Sequence, residues 1–253
     1  MFRIALAALA LLFGVSHRPV VANPAMFLDG PRRLGSSQPS TLAFVTGEAW
    51  AVRTGGPIRS TPLVHEDRVY FGSDDGSIYA VNQSDGVIAW RVSTGAPVGG
   101  SPLLARGRLY VQNHANLLLA IDPEDGRVLW RHQGRENLPN RGFWDLFAST
   151  PEVVGDRLYA GSGDGGIFAL DTETGREVWR APTKGRVRSS PVIVGDALVI
   201  GSFDGSVYKL DRHTGRILWR FETEGVNFDF DKFGFDRTAV QGSASISDQI
   251  VVI

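Results

Sequence analysis

The sequence predicts an all-β fold, a β-propeller of four-stranded antiparallel blades, and three observations carry that prediction. First, tryptophan recurs on a ruler: Trp50, Trp90 and Trp130 stand 40 residues apart, as do Trp179 and Trp219, and the one longer interval, Trp130 to Trp179, is 49. Second, other residues keep the same register. Pro62, Pro102, Pro151 and Pro191 each lie 28 residues before a Trp and follow Ser or Thr; Gly86, Gly126, Gly175 and Gly215 lie 4 before; Asn82, Asp122, Asp171 and Asp211 lie 8 before. Third, each repeat holds four short apolar, β-branched or aromatic runs divided by Gly- and Asp-rich turns, with no helical apolar period. Four-stranded units of about 40 residues read as propeller blades.

Along the chain, residues 1–22 have the order of a secretory signal peptide: one Arg, the apolar run of residues 4–15, then small residues for cleavage after Ala22, with Ala25 as an alternative. The apolar run is too short to span a bilayer. Residues 23–45 read as a linker and 46–253 as the repeat domain. The expected location is outside the cytoplasm, in the periplasm if the source is a Gram-negative bacterium. The 26 basic and 27 acidic residues nearly cancel, which gives no reason to expect nucleic acid as a partner. Cysteine is absent, so disulfides, thiolate metal sites and a lipid-attachment cysteine are excluded.

The repeats begin with Thr46 to Trp50, which look like the outer strand of a blade whose inner strands are missing. Four Trp-terminated repeats follow. In the fourth, "PVIV", "ALVIGS", "SVYKL" and "RILWR" are the strands, and "GD", "FDG" and "RHTG" are hairpin turns that need positive φ. A fifth begins at Val240, where "VQGSASISDQIVVI" aligns with "VRSSPVIVGDALVI". The expectation is a fragment of a seven- or eight-bladed ring; a complete four-bladed ring is the competing reading. Trp50, Trp90, Trp130, Trp179 and Trp219 are expected to dock neighbouring blades. Each indole can bury about 150–250 Å², at most about 4–6 kcal/mol per blade. The Arg after each Trp reads as a solvated charge.

Two inter-blade connections break the period, Gly134 to Thr150 and Glu224 to Ser243. Long loops in a compact repeat carry function or plug it. The first holds Asn140, Arg141, Phe143, Trp144, Asp145 and Phe147; the second Phe228, Asp229, Phe230, Asp231, Phe233, Phe235, Asp236 and Arg237. Aromatics amid charges suggest a recognition surface; a lid folded back over the channel mouth is the alternative, and the residues leave both open. Where the inner strands begin, Arg59, Gly99, Ala148, Arg188 and Gln241 share one register. Arg59 and Arg188 there could face the channel and meet an anion, or be rim charges.

Other motifs are discounted. "GSGDGG" at Gly161 to Gly166 spells a dinucleotide loop, but a strand follows it rather than a helix. "DFDKFGFD" lacks the spacing and the closing Glu of a calcium loop. No metal site is expected. His65, His114, His132 and His213 fall in four different registers and read as surface residues.

"ALDTETGREVW" at Ala169 to Trp179 resembles the tryptophan-docking motif Ala-x-Asp-x-x-Thr-Gly-x-x-x-Trp of the PQQ-like β-propellers. Three more copies depart from it by single residues: Asp125 for Thr, Asn82 for Asp, and Lys209 for Ala. WD40 repeats share the length, but this chain has Trp-Arg where they have Trp-Asp. The family includes quinoprotein alcohol dehydrogenases and the outer-membrane assembly protein BamB. The resemblance implies an exported, non-catalytic scaffold binding another exported or outer-membrane protein, with no cofactor. The alternatives are a fragment of a PQQ-dependent dehydrogenase, which would take PQQ and calcium, and a carbohydrate- or polymer-binding propeller. No stretch matches the calcium ligands or catalytic Asp of those enzymes, and the vicinal disulfide many of them carry cannot form here.

Overall fold

A computed structural model describes residues 3–6, 47–139, 145–227, 239–247 and 250–252. The fold is all-β, with four antiparallel four-stranded meanders in chain order. Ahead of them, β1 (Arg3–Leu6) lies antiparallel to β2 (Trp50–Arg53). Blade 1 holds β3 (Leu63–His65), β4 (Arg68–Ser73), β5 (Ser77–Asn82) and β6 (Ile88–Ser93). Blade 2 holds β7 (Leu103–Ala105), β8 (Arg108–Gln112), β9 (Leu117–Ile121) and β10 (Val128–Gln133). Blade 3 holds β11 (Glu152–Val154), β12 (Arg157–Gly161), β13 (Gly166–Asp171) and β14 (Glu177–Pro182). Blade 4 holds β15 (Val192–Val194), β16 (Ala197–Gly201), β17 (Ser206–Asp211) and β18 (Ile217–Glu222). A fifth blade opens with β19 (Ser245–Ser247) and β20 (Ile250–Val252). The only helical turn among the described residues is a 3-10 turn at Glu224–Asn227, and none of their helices could cross a membrane.

The core lies between blades. In β4 and β5, Val69, Phe71, Tyr79 and Val81 pack toward Trp50 and Val52 of β2. The alternate residues Tyr70, Ile78 and Ala80 pack with Leu109, Val111, Leu119 and Ile121 of blade 2. A strand's side chains alternate between faces, so a blade sandwiched between two others must be apolar on both. That accounts for near-continuous apolar runs such as "RVYFGS" and "LLLAI".

Each docking Trp closes this contact at the rim. Trp50, Trp90, Trp130 and Trp179 donate Nε1–H to the carbonyls of Gln83, Pro123, Thr172 and Arg212, all in the next blade's acidic turn, at 2.7–2.9 Å. Under each indole lies that turn's glycine: Gly86, Gly126, Gly175 and Gly215, with φ from 68° to 77°. A Cβ there would collide with the ring carbons, so the glycine answers both a backbone and a packing demand. Within their own blades three of these indoles face the motif's first residue across a bulged ladder: Trp90 opposite Ala80, Trp130 opposite Ala120, Trp179 opposite Ala169. The acidic residue ties the turn: Asp171 Oδ1 accepts from Thr174 N at 2.9 Å and Thr174 Oγ1 at 2.8 Å.

Two expectations meet a different picture among the described residues. Trp219 does not dock among the described residues. Among the described residues it is 39% exposed, with Lys209 opposite it, and all six residues of β18 are exposed. The Arg after Trp is also more than a solvated charge in three blades. Arg91, Arg180 and Arg220 lie over the rings of Tyr79, Phe168 and Tyr208 at 5.1–5.8 Å. Arg180 additionally pairs with Asp164 at 3.0 Å. These long side chains shield an edge aromatic while the head finds a carboxylate or hydroxyl.

Candidate functional site

The four blades begin with the inner strands β3, β7, β11 and β15. Their starts line a cavity of about 180 Å³ together with Asp145, Phe147 and Phe203. The lining includes one hydroxyl per blade: Thr61, Ser101, Thr150, Ser190 and Ser243. These hydroxyls also join the blades. Thr61 N donates to Ser101 Oγ (2.9 Å), Ser101 N to Thr150 Oγ1 (3.2 Å), Thr150 N to Ser190 Oγ (3.0 Å) and Ser190 N to Ser243 Oγ (3.1 Å). The proline after each of the first four hydroxyls has no N–H and directs the chain into the inner strand.

The residue two positions before each hydroxyl decides the channel's chemistry. Arg59, Gly99, Ala148, Arg188 and Gln241 all line the cavity, as their shared register implies. Gly99 is glycine for a steric reason: a Cβ there would come within 2.5 Å of both His114 Nε2 and Leu146 O. Arg59 is exposed and donates Nε–H to Asp74 at 2.7 Å. Arg188 is only 4% exposed. Its Nε and Nη2 grip Asp145 Oδ1 and Oδ2 at 2.7 and 2.8 Å, and Nη2 also reaches Asn137 Oδ1 at 3.3 Å. Arg186 binds the same Asp145 Oδ2. Burial alone would raise the Asp145 pKa; the hydrogen bonds and charge of Arg188, then of Arg186, outweigh it and hold the carboxyl below its usual range. Arg188 Nη1 is buried and has no partner.

Asp145 belongs to the first insertion, whose described parts fold back over blades 2 and 3. Arg135 N donates to Asp164 Oδ2 at 2.8 Å, Leu138 N to Gly163 O at 2.8 Å, and Asn137 Nδ2 to His114 O at 2.9 Å. Asn116 Oδ1 accepts from Gly163 N at 2.9 Å. Gly163 stands where the sister turns have Asp74 and Phe203, and a Cβ there would strike Asn137 and Arg188. "GSGDGG" is thus a hairpin turn whose extra glycine makes room for the insertion.

One aromatic leaves this packing. Val98, Val187 and Val240 fill the space over Gly72, Gly161 and Gly201. In blade 2 the glycine is replaced by buried Gln112, whose Nε2 donates to Gly161 O at 3.0 Å. The residue in the valine register is Phe147, and it is 52% exposed at the channel mouth. The glutamine occupies the slot and turns the phenylalanine out.

Of the other sequence-predicted site residues, Asn140, Arg141, Phe143, Trp144, Phe228, Asp229, Phe230, Asp231, Phe233, Asp236 and Arg237 lie outside the described residues. The expectation that His65, His114, His132 and His213 sit on the surface is corrected for two of them. His114 is held at Leu146 O (3.1 Å), and the His132 side chain is 14% exposed against Phe168. Burial lowers the pKa of both; nearby Arg188 adds to the effect on His114. Sequence reasoning also missed Asn116, Asn137 and Arg186. Only Arg186 left a signal, two residues before Arg188 and hence on the same side of an extended chain.

No three His, Asp or Glu among the described residues come together to hold a cation. The channel carboxylate is already claimed by two guanidiniums. This donor set does not fit calcium, and the cavity is below the roughly 300–1,000 Å³ of a drug-sized ligand site.

The family described as "Outer membrane protein assembly factor BamB" matches residues 43–145 and 142–230. Among solved structures, BamB from Moraxella catarrhalis superposes with a TM-score of 0.60 at 20% identity, covering 72% of this chain and 55% of that one. The quinohemoprotein alcohol dehydrogenase ADHIIG from Pseudomonas putida HK5 gives 0.58 at 19%, covering 70% and 36%. That from Comamonas testosteroni gives 0.55 at 17%, covering 66% and 35%. At such identities the likeness is one of fold, and the chain spans about half the length of the first of these structures. A search of curated proteins found no match.

Proposed function

Because the chain belongs to the BamB family of outer membrane protein assembly factors, we propose that it is an exported, non-catalytic propeller scaffold that binds another exported or outer-membrane protein. Export would run through the N-terminal apolar segment, to the periplasm in a Gram-negative source. The observation that carries the reading is the lip of the channel. There an insertion is pinned by Asp145 to Arg186 and Arg188, and beside it Phe147 is presented half-exposed. A rigidly backed aromatic next to a charged, hydrogen-bonded rim is the anatomy of a protein-binding hot spot. Rigid backing also limits the entropy lost on binding.

The test is photo-crosslinking in cells from an amino acid with a photoreactive side chain at position 147. The expected outcome is a discrete adduct with an exported or outer-membrane protein, absent when the photoreactive residue is at exposed Val87 on the outer rim. A folded, exported protein that gives no adduct from position 147 would overturn the scaffold reading.

A further inference from the structure

We propose that the mouth of the central channel binds a small oxoanion, a phosphate or a short dicarboxylate, held by Arg188 and Arg59. The charge balance points that way. Arg59 is matched by Asp74, but Arg186 and Arg188 share one carboxylate, Asp145. Among the described residues one positive charge is left over, and it lies where water is largely excluded: the Arg188 side chain is 2% exposed. A buried cation without full compensation is costly. The deficit has an address, because Arg188 spends Nε and Nη2 on Asp145 and Asn137 while Nη1 has no partner.

Beside the apolar Phe147, Ala148 and Phe203, the rest of the lining offers a row of hydroxyls. The hydroxyls of Ser101, Thr150, Ser190 and Ser243 each accept a backbone N–H from the preceding blade. A hydroxyl that accepts still has its own proton to give, and all four line the cavity. Both oxygens of Asp145 are already engaged. Guanidiniums and hydroxyls together favour a guest that brings acceptors and negative charge. About 180 Å³ is the share of roughly six waters, room for a small ion with a few waters and little more. Arg59 and Arg188 come from blades 1 and 4, so a two-ended anion can bridge them, as guanidiniums commonly do with phosphate and carboxylate.

The site does not depend on the scaffold reading and is tested separately. Calorimetric titration and thermal melts of the purified full-length mature protein would use phosphate, malonate and the neutral control malonamide. Saturable binding of phosphate or malonate with a raised melting temperature is expected, and none with malonamide. Arg188→Gln and Arg59→Gln should each weaken the anion about tenfold or more. Arg59 is exposed and its replacement is expected to fold, so it decides the matter even if the Arg188 variant does not. No saturable anion binding to the folded wild type, or binding indifferent to Arg59→Gln, would overturn the proposal.

Discussion

Trp179 lies face-down on Gly215: its Cε3 is 2.5 Å from where a Cβ on that glycine would stand, while its Nε1–H donates to Arg212 O at 2.9 Å. This joint between blades 3 and 4 repeats three times, and one further Trp lacks it. Trp179→Ala should therefore lower stability by about 3–5 kcal/mol, and Trp219→Ala by less than about 1 kcal/mol. Gly215→Ala, forced into φ 72° and into the ring, should cost more than about 1 kcal/mol. Denaturant melts of the three variants check the order.

The Asp145 latch should show in acid. Asp145→Asn leaves two guanidiniums facing a neutral amide, and breaking a buried pair in this way costs about 3–5 kcal/mol. The folded pKa of Asp145 is depressed, so its contribution is complete above the unfolded value of about 3.9 and is lost as pH falls through the lower folded value. The stability gap between wild type and Asp145→Asn, measured by denaturant titration, should hold from pH 7 to about 4 and narrow below it.

The histidines work at milder pH. Burial depresses both His114 and His132. Their neutral forms support the fold fully above the unfolded value of about 6.5, and that support is lost as pH falls toward their folded values. Stability should drop between pH 7.5 and 5.5. The drop should be smaller in His114→Gln/His132→Gln, read from melting temperatures at the two pH values.

Gln112 and Phe147 should be coupled. Gln112→Gly alone empties a buried slot, and Phe147→Val alone has no slot to enter. Together they recreate the Gly–Val pair of the sister blades, as Gly161 has with Val187. A double-mutant cycle should give a favourable coupling of about 1 kcal/mol or more, and Phe147→Val should weaken partner pull-down without loss of fold.

The repeat made the blades legible because packing constraints recur with it. The turn glycine, the Ala opposite the indole and the hydroxyl before proline are each dictated by one contact made in every joint. The channel register was legible for the same reason: spacing alone put Arg59 and Arg188 in one register and left open whether they face the channel or stand on its rim. The site's particular wiring was not. Asp145 reaches Arg186 and Arg188 across more than 40 residues, and Asn137 meets Gly163 through the shape of one insertion that has no sister copy. A contact made once leaves no period. Trp219 keeps the register too, and docking needs in addition a second surface, which a one-residue pattern does not contain.

The hydroxyl–amide stitches have one further bearing. Ser101, Thr150 and Ser190 each carry both the acceptor for the preceding blade and the donor for the following one, and blades 1 to 4 each carry an indole and a socket. A duplicated stretch of gene would thus arrive with both halves of each fastening already encoded. Rings of different size could arise by copying alone, with no new joinery to invent.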